Sequence, residues 1–449
     1  MKIHFFGAAH EVTGSCHMIE TQKNQILLDC GMFQGSDFSE GKNYEPFPFD
    51  AKNIEALLVS HAHLDHTGRI PKLIKDGFAG PIFMTKATRE LAKLIWEDAY
   101  QIMKYENEKF QRPLLFSPED IEVAFSRCQG VDYDVWNKVG DIEFKFHDAG
   151  HIFGSAFIEV KGDGKTVVFS GDIGNIDAPI IRDTENLPDM DALLCESTYG
   201  DRIHESAGER DQMLLDLIRD GVARGGTIMI PAFSLERTQE LLYKLHVMSL
   251  HENTLPKVPI FLDSPLAIDA MAVYKRYKEY YDKDATQESL DGDDFLSFPQ
   301  LHVTRSRDES KSINNVHGPK IIIAGAGMMN GGRIVHHAFR YLSDPKSSLV
   351  IVGYQAQGTL GRRLYEGAER VKIFGQEVEV HCKIKAIGAL SAHADQNKLL
   401  GWIGATKQKP KKVYCVHGEP EAATALAHKI RDEFGIQTFV PEYGDVVEV

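Results

Sequence analysis

A chain of 449 residues is too long for one ordinary hydrophobic core, so two domains are the first expectation. Its 43% apolar and 26% charged residues place it among globular proteins, and its longest apolar runs, 320–325 and 347–353, are far too short to cross a bilayer. The formal net charge of −15 argues at face value against a polyanionic partner. That veto is weak, because residues 381–418 carry seven lysines (383, 385, 398, 407, 409, 411, 412) against one acid, Asp395, whereas 282–294 is strongly acidic.

The opening MKIHFFGAAHEVTG lacks the roughly 7–15-residue apolar stretch of a secretory signal. The six cysteines, at 16, 30, 128, 195, 382 and 415, form neither a CxxC pair nor a disulfide-like framework. A cytoplasmic protein with reduced thiols and no membrane association is expected. Short β-type runs come first: 2–7, 16–20 and 25–29, separated by Gly, Ser and Asn turns. The run 54–60 leads into a histidine-rich loop and then TGRIPKLIKDG, which has helical spacing, Thr67 as a candidate cap and a glycine stop. Helices are predicted at about 86–108 and 117–128, followed by strands within 142–172 and at 191–197.

From roughly 205 helices and apolar strands alternate: a helix near 205–223, TIMIPAFS, a helix from 234, VPIFLDS, a helix from 265, then LHVT, KIIIAG and LVIVG. That order suggests a parallel sheet covered on both faces, an α/β domain of its own. Residues 381–449 return to the first style, with KKVYCVHG leading into a helix at about 419–434. The simplest arrangement is an insertion whose two flanks form one domain.

The string HAHLDH at 61–66 puts three imidazoles and a carboxylate in six residues where a buried strand ends. Nitrogen and carboxylate-oxygen donors at that density suit a zinc-like divalent ion, and two ions more easily than one. Candidate partners also stand in or after strands: His151 in DAGHIFGS, Asp172 in VVFSGDIG and His417 in VYCVHGE. Singly, each would more often be a turn or capping residue; together with HAHLDH they complete a dinuclear set.

Through these residues nearly the whole chain resembles the metallo-β-lactamase superfamily. The insertion, with Glu196 in CESTYG, His393 in SAHAD and His417 in VHGE, resembles its β-CASP branch of nucleases, which includes the polyadenylation cleavage nuclease and RNase J. The resemblance implies an αββα sandwich interrupted by an α/β domain with a parallel sheet flanked by helices. The parts would be 1–204 and 381–449 for the sandwich and 205–380 for the β-CASP insertion.

It further implies two zinc ions, with manganese as the substitute. One would take His61, His63 and His151, the other Asp65, His66 and His417, with Asp172 between them and Asp29 orienting the ligands. Glu196 would hold His393 so that its imidazole protonates the leaving oxygen, and Asp65 would also accept a hydrogen bond from the nucleophile. The activity implied is that of a ribonuclease, endo or 5′-to-3′ exo, in which a metal-bridging hydroxide cuts single-stranded RNA to leave 5′-phosphate and 3′-hydroxyl ends. Histidine in VHGE resembles the RNA-processing members, where DNA-repair members carry an aliphatic residue. The insertion would clamp over the metal face, leaving a groove for a single strand.

Ser391, Arg333, Arg362, Arg363 and the glycine-rich turns around 325–333 and 353–364 are candidate phosphate contacts, although such turns are as often plain connections. GAGMMNGG lacks the GK[ST] ending of a nucleotide loop, so neither ATP nor NAD is expected. Three rivals stay open: a DNA-directed nuclease of the same branch, a small-molecule hydrolase like glyoxalase II or a lactonase, and a non-catalytic scaffold. A homodimer is compatible with all of them.

Overall fold

The computed structural model describes residues 1–204, 207–387 and 391–449. The chain forms two compact units, the first from residues 1–176, 181–203 and 393–449, the second from 177–180 and 204–392.

The first unit holds two seven-stranded sheets. One runs in the order Val446–Glu448, Lys2–Phe5, His17–Glu20, Gln25–Leu28, Ala56–Leu58, Ile82–Thr85, Cys128–Val131. The other runs Gln437–Phe439, Lys412–Val416, Ala192–Glu196, Lys165–Phe169, Ala156–Gly162, Ile142–Asp148, Asn137–Val139. Side-chain alternation explains the layering. Ala192, Leu194, Tyr414 and Val416 join Ile3, Phe5, Leu28, Leu58 and Phe144 in the core between the sheets. Their neighbours Leu193, Cys195, Val413 and Cys415 face the opposite way, against Leu399, Ile403, Leu426 and Ile430 of helices Gln396–Gly404 and Pro420–Phe434. The other sheet packs against helix Lys86–Phe110; Pro118–Arg127 lies on that helix and on Ile70–Lys75. Four layers result, two helical and two of sheet, as the family resemblance implies.

Local chemistry sets the helix ends. Thr85 caps Lys86–Phe110 through Thr88 N, and Ser117 with Asp120 forms a capping box ahead of Pro118–Arg127. Thr67 is not the cap expected of it. It lies in the short helix Leu64–Thr67 and bonds back to the carbonyls of Ala62 and His63, while Arg69 opens Ile70–Lys75 with no side-chain cap. The strands Ile82–Thr85, Cys128–Val131, Asn137–Val139, Gln437–Phe439 and Val446–Glu448 are three or four residues long and gave no sequence signal of their own.

In the second unit six strands, all parallel, run Leu301–Val303, Ile260–Leu262, Lys320–Ala324, Thr227–Pro231, Ser348–Ile351, Lys383–Ala386. Helix Gly332–Tyr341 buries Ile334, Val335 and Ala338 against Met229, Ile322 and Leu349 of this sheet. Lys383–Ala386 departs from the expected boundary at 380/381. It adds to the edge of Ser348–Ile351, so this unit runs on to Ala392 and the return to the first unit comes at His393. At the front, position 205 lies outside the described residues. None of the described helices is long and apolar enough to cross a membrane.

Strand ends deliver the loops that matter next. Asp29 N bonds Leu58 O, Ser15 N bonds Asp65 O, Cys30 N bonds His66 O and Met32 N bonds Leu64 O, which stitches residues 14–32 to the 61–66 loop. Gly31 sits inside that stitching, where a Cβ would fall 1.5 Å from Asp65 O and 2.7 Å from His66 N. Gly31→Ala is therefore expected to cost about 1–3 kcal/mol or more, because the obstacle is backbone. A lowered unfolding temperature measures this; an unchanged one would mean that the loop yields freely.

Candidate metal centre

Asp29 is fully buried and left-handed at φ 59°, which turns its carboxylate back toward the next strand. Oδ1 accepts from Ser60 N at 2.7 Å, and Oδ2 accepts from Ser60 Oγ at 2.8 Å and Ser15 Oγ at 3.2 Å. Nδ1 of His66 lies 2.6 Å from the same Oδ2, which leaves His66 Nε2 facing away. Ser60 Oγ also stands 3.0 Å from Nδ1 of His61 and so fixes a second ring. Ser15 and Ser60, together with Thr198 at 3.2 Å from His417 Nδ1, are positioning residues that the sequence reading did not single out. Ser60 directly precedes HAHLDH, and that adjacency was the available signal.

The seven expected metal-ligating residues form two groups: His61, His63, His151 and Asp172; and Asp65, His66 and His417. Asp172 links them. Its Oδ2 lies 3.5 Å from His61 Nε2, 3.4 Å from His66 Nε2 and 3.5 Å from His151 Nε2, and its Oδ1 lies 3.5 Å from His417 Nδ1. Asp65 Oδ2 is 3.5 Å from His417 Nε2. Asp172 is 1% exposed, yet neither oxygen accepts a hydrogen bond from any described residue. A buried carboxylate left this way is costly unless a cation meets it. Tetrahedral donors about 2.1 Å from a zinc ion lie about 3.4 Å from one another, so the spacings fit.

The electrostatics agree. Burial and neighbouring imidazoles push His61 and His151 well below the ordinary histidine pKa, and burial takes His63 down to about 4, so these rings are neutral with lone pairs to offer. His66 goes the other way. Burial opposes its charge, but Asp172, Asp29 and Asp65 raise it well above the ordinary value, which marks a corner that favours positive charge. Against the cost of burial, His417, His66 and His393 hold Asp172 firmly anionic.

Glu196 and His393 meet beside this group. Fully buried, Glu196 accepts from Ile173 N at 2.6 Å, and its Oε2 lies 3.2 Å from Nδ1 of His393. The His393 side chain is 15% exposed, with its ring 4.6 Å from that of His151. Burial lowers its pKa, but the charges of Glu196 and Asp172 outweigh that and raise it to about 9. Neither His393 nor Ser391 caps the following helix, which Asp395 does through Lys398 N.

The expected phosphate contacts fall in the second unit. Arg333 does not offer a free guanidinium: it bonds Asp263 Oδ1 at 2.6 Å, Thr304 O at 2.9 Å and Arg305 O at 2.6 Å. Asp263 is the hub there, fully buried and also met by Thr304, Ser310 and His337. Arg362 pairs with Glu366 at 2.6 Å, Arg363 is exposed, and Ser391 is buried. The lysine-rich stretch is likewise not a uniform basic patch. Lys383 pairs with Asp220, Lys411 with Asp191, Lys412 bonds Glu448 O, and Lys409 bonds the carbonyls of Gly404 and Thr406.

Three family models match successive stretches of the chain: the metallo-beta-lactamase superfamily over residues 11–205, the Beta-Casp domain over 238–364, and the Zn-dependent metallo-hydrolase RNA specificity domain over 377–441. The chain is 40% identical to "Ribonuclease TTHA0252" of Thermus thermophilus over 100% of both chains. It is 32% identical to an "RNase J-like protein" of Methanocaldococcus jannaschii over 99% of each, and 30% identical to that organism's "Transcription termination factor FttA" over 100% of this chain and 72% of the relative. A crystal structure of a protein of unknown function from Enterococcus faecalis V583 matches with a TM-score of 0.55 and 13% identity over 100% of this chain and 99% of that one, which shows the fold alone. End-to-end identity at this level, on a scaffold whose strand ends gather the family's donor residues, means that the chain belongs to the β-CASP branch of the metallo-β-lactamase superfamily of metal-dependent hydrolases.

Proposed function

We propose that this protein is a zinc-dependent ribonuclease that hydrolyses phosphodiester bonds of single-stranded RNA, leaving 5′-phosphate and 3′-hydroxyl ends. The observation that carries the reading is the Glu196–His393 pair standing against a donor cage centred on Asp172. A cage alone would serve many hydrolases. A proton donor beside it is what a poor alkoxide leaving group needs. The RNA-specificity family model over 377–441 and the ribonuclease-named relatives support RNA as the polymer.

His61, His63 and His151 would hold one zinc ion, Asp65, His66 and His417 the other, with Asp172 shared. When bound, such ions supply Lewis acidity toward water and toward the non-bridging phosphate oxygens. The chain's own residues do the rest. Asp29 and Ser60 hold the His66 and His61 rings in the tautomers that expose Nε2. Glu196 holds Nδ1 of His393, so Nε2 is the atom that carries a proton to the departing 3′-oxygen. The charge of Glu196 also opposes the effect of burial and raises the proton affinity of that ring.

Incubation with labelled single-stranded RNA, single-stranded DNA and a thioester is expected to show cleavage of RNA, abolished by chelator and restored by zinc. Consumption of the thioester alone would overturn the proposal. Chelation is also expected to lower the unfolding temperature, since metal at about 100-fold over its Kd contributes about 2.7 kcal/mol.

His393→Ala should keep both metals and lose about 10²-fold or more in RNA cleavage, the usual scale for a lost general acid. Metal loss in that variant would instead make His393 a ligand. Glu196→Gln removes the largest of the charges that raise His393 against burial, so the ring deprotonates at lower pH. The alkaline limb of the pH–rate profile should move to lower pH in Glu196→Gln, and an unmoved limb would exclude His393 as the acid.

A further inference from the structure

Asp172 has a cationic counterpart in the first unit. Arg69 directly precedes helix Ile70–Lys75 and is 5% exposed. Among the described residues its guanidinium has one hydrogen bond, from Nε to Gly31 O; Nη2 is buried without an acceptor. Glu11, the carboxylate whose charge reaches it, is bonded instead to Lys42 Nζ at 2.8 Å. The rings of Phe33 and Phe47 lie 4.6 and 5.2 Å from its central carbon. Such contacts offset part of the charge, but they give the in-plane N–H donors no oxygen to bond. A buried guanidinium left this way calls for an oxyanion.

Arg69 lines a cavity of about 620 Å³ together with Phe38, Lys42, Glu45 and Tyr443. That volume falls within the roughly 300–1,000 Å³ of small-molecule sites. Two of its rings stand in water: Phe38 is 82% and Tyr443 51% exposed. Lys42 Nζ lies 5.0 Å from the ring of Phe33 and 5.8 Å from that of Phe38, which brings a second positive charge to the same wall. The wall is built in advance of any ligand. Buried Asn43 accepts from Phe33 N and donates to Phe33 O, both at 2.8 Å, and so pins the turn Lys42–Tyr44 against Phe33.

We propose that this cavity is a nucleotide site, which takes a nucleoside 5′-phosphate with its phosphate on Arg69 and its base against Phe38 and Tyr443. A planar guanidinium matches two phosphate oxygens at once, and flat exposed rings take any base by stacking. Glu45, exposed on the same rim, is an acceptor for a ribose hydroxyl. The nucleotide can belong to an RNA strand or be free in solution; the first source rests on the ribonuclease reading and the second does not. Either way it sits beside the cage, because Arg69 holds Gly31 O and Gly31 packs against the backbone of Asp65 and His66.

The test uses the full chain, freed of metal by chelator so that the cage offers phosphate no cation. It is titrated with adenosine 5′-phosphate, adenosine, inorganic phosphate and 5′-phosphorylated single-stranded RNA. Phe38→Ala is a mild variant, because the ring it removes is largely in water, and Arg69→Lys keeps the charge while losing the planar fork. The expected result is that the nucleotide binds more tightly than phosphate or adenosine alone and that Phe38→Ala weakens its binding by about 5–100-fold, the scale of one lost base stack. Arg69→Lys should weaken it as well, with both variants folded by their unfolding temperatures. A loss seen only with RNA assigns the site to the strand, and one seen only with adenosine 5′-phosphate assigns it to a free nucleotide. Wild type that binds neither, or binding of both that Phe38→Ala leaves unchanged, would overturn the proposal. Cleavage by the zinc-loaded protein is measured separately, so its absence beside intact nucleotide binding would count against the ribonuclease reading alone.

Discussion

Two carboxylates lie at the same depth in the first unit and are treated in opposite ways. Asp29 is surrounded by hydrogen-bond donors from Ser15, Ser60 and His66. Asp172 receives none from the described residues, and imidazole nitrogens stand 3.4–3.7 Å from it. Taking an anion out of water costs several kcal/mol unless it is compensated. A fold that carries Asp172 to 1% exposure is therefore one whose stability depends on the positive charge gathered around it. The satisfied carboxylate fixes the frame, and the open one is where a cation would be met. The strands ending at Leu28, Leu58 and Phe169 are the means by which the two sheets bring these groups together.

The imidazoles divide in the same spirit. His61, His63 and His151 are driven toward neutrality, mainly by burial, whereas His66 and His393 overcome the same burial because carboxylates face them. One pocket thus holds rings of lowered and of raised proton affinity side by side. No difference in intrinsic chemistry separates them; the balance of burial against facing carboxylates sets each ring's proton affinity.

Much of this was legible because the donors cluster along the chain and follow apolar runs. HAHLDH comes directly after a buried strand, and His417 ends the run KVYCV, so residue type, spacing and strand end all agree. The parallel-sheeted insertion was legible because runs such as KIIIA are long enough to carry period and composition, whereas the sandwich was implied by the family resemblance. Strands of three or four residues, Asn137–Val139 or Val446–Glu448, are made by the neighbours they pair with. Lys383–Ala386 reads as one more basic stretch until its hydrogen bonds to Ser348–Ile351 place it at a sheet edge. Charge was the poorest guide. Nothing in sequence tells a lysine that grips phosphate from Lys409, whose ammonium closes the carbonyl end of a helix, or a free arginine from Arg333, which is drawn onto Asp263.

Apart from the short stretch 177–180, the chain leaves the first unit after Ile203 and re-enters it at His393, and the segments flanking these two points are fastened together within the first unit. Ala192–Glu196 lies in register beside Lys412–Val416, Tyr199 bridges to Asp395, and His393 itself bridges to Gly174. Such a narrow neck is what lets a compact unit of this size interrupt another without disturbing its folding. Here the neck is also the mount for the Glu196–His393 pair. The insertion is consequently no detachable cassette: a graft that exchanged it at its natural junctions would have to rebuild the strand pairing and bridges that carry the dyad.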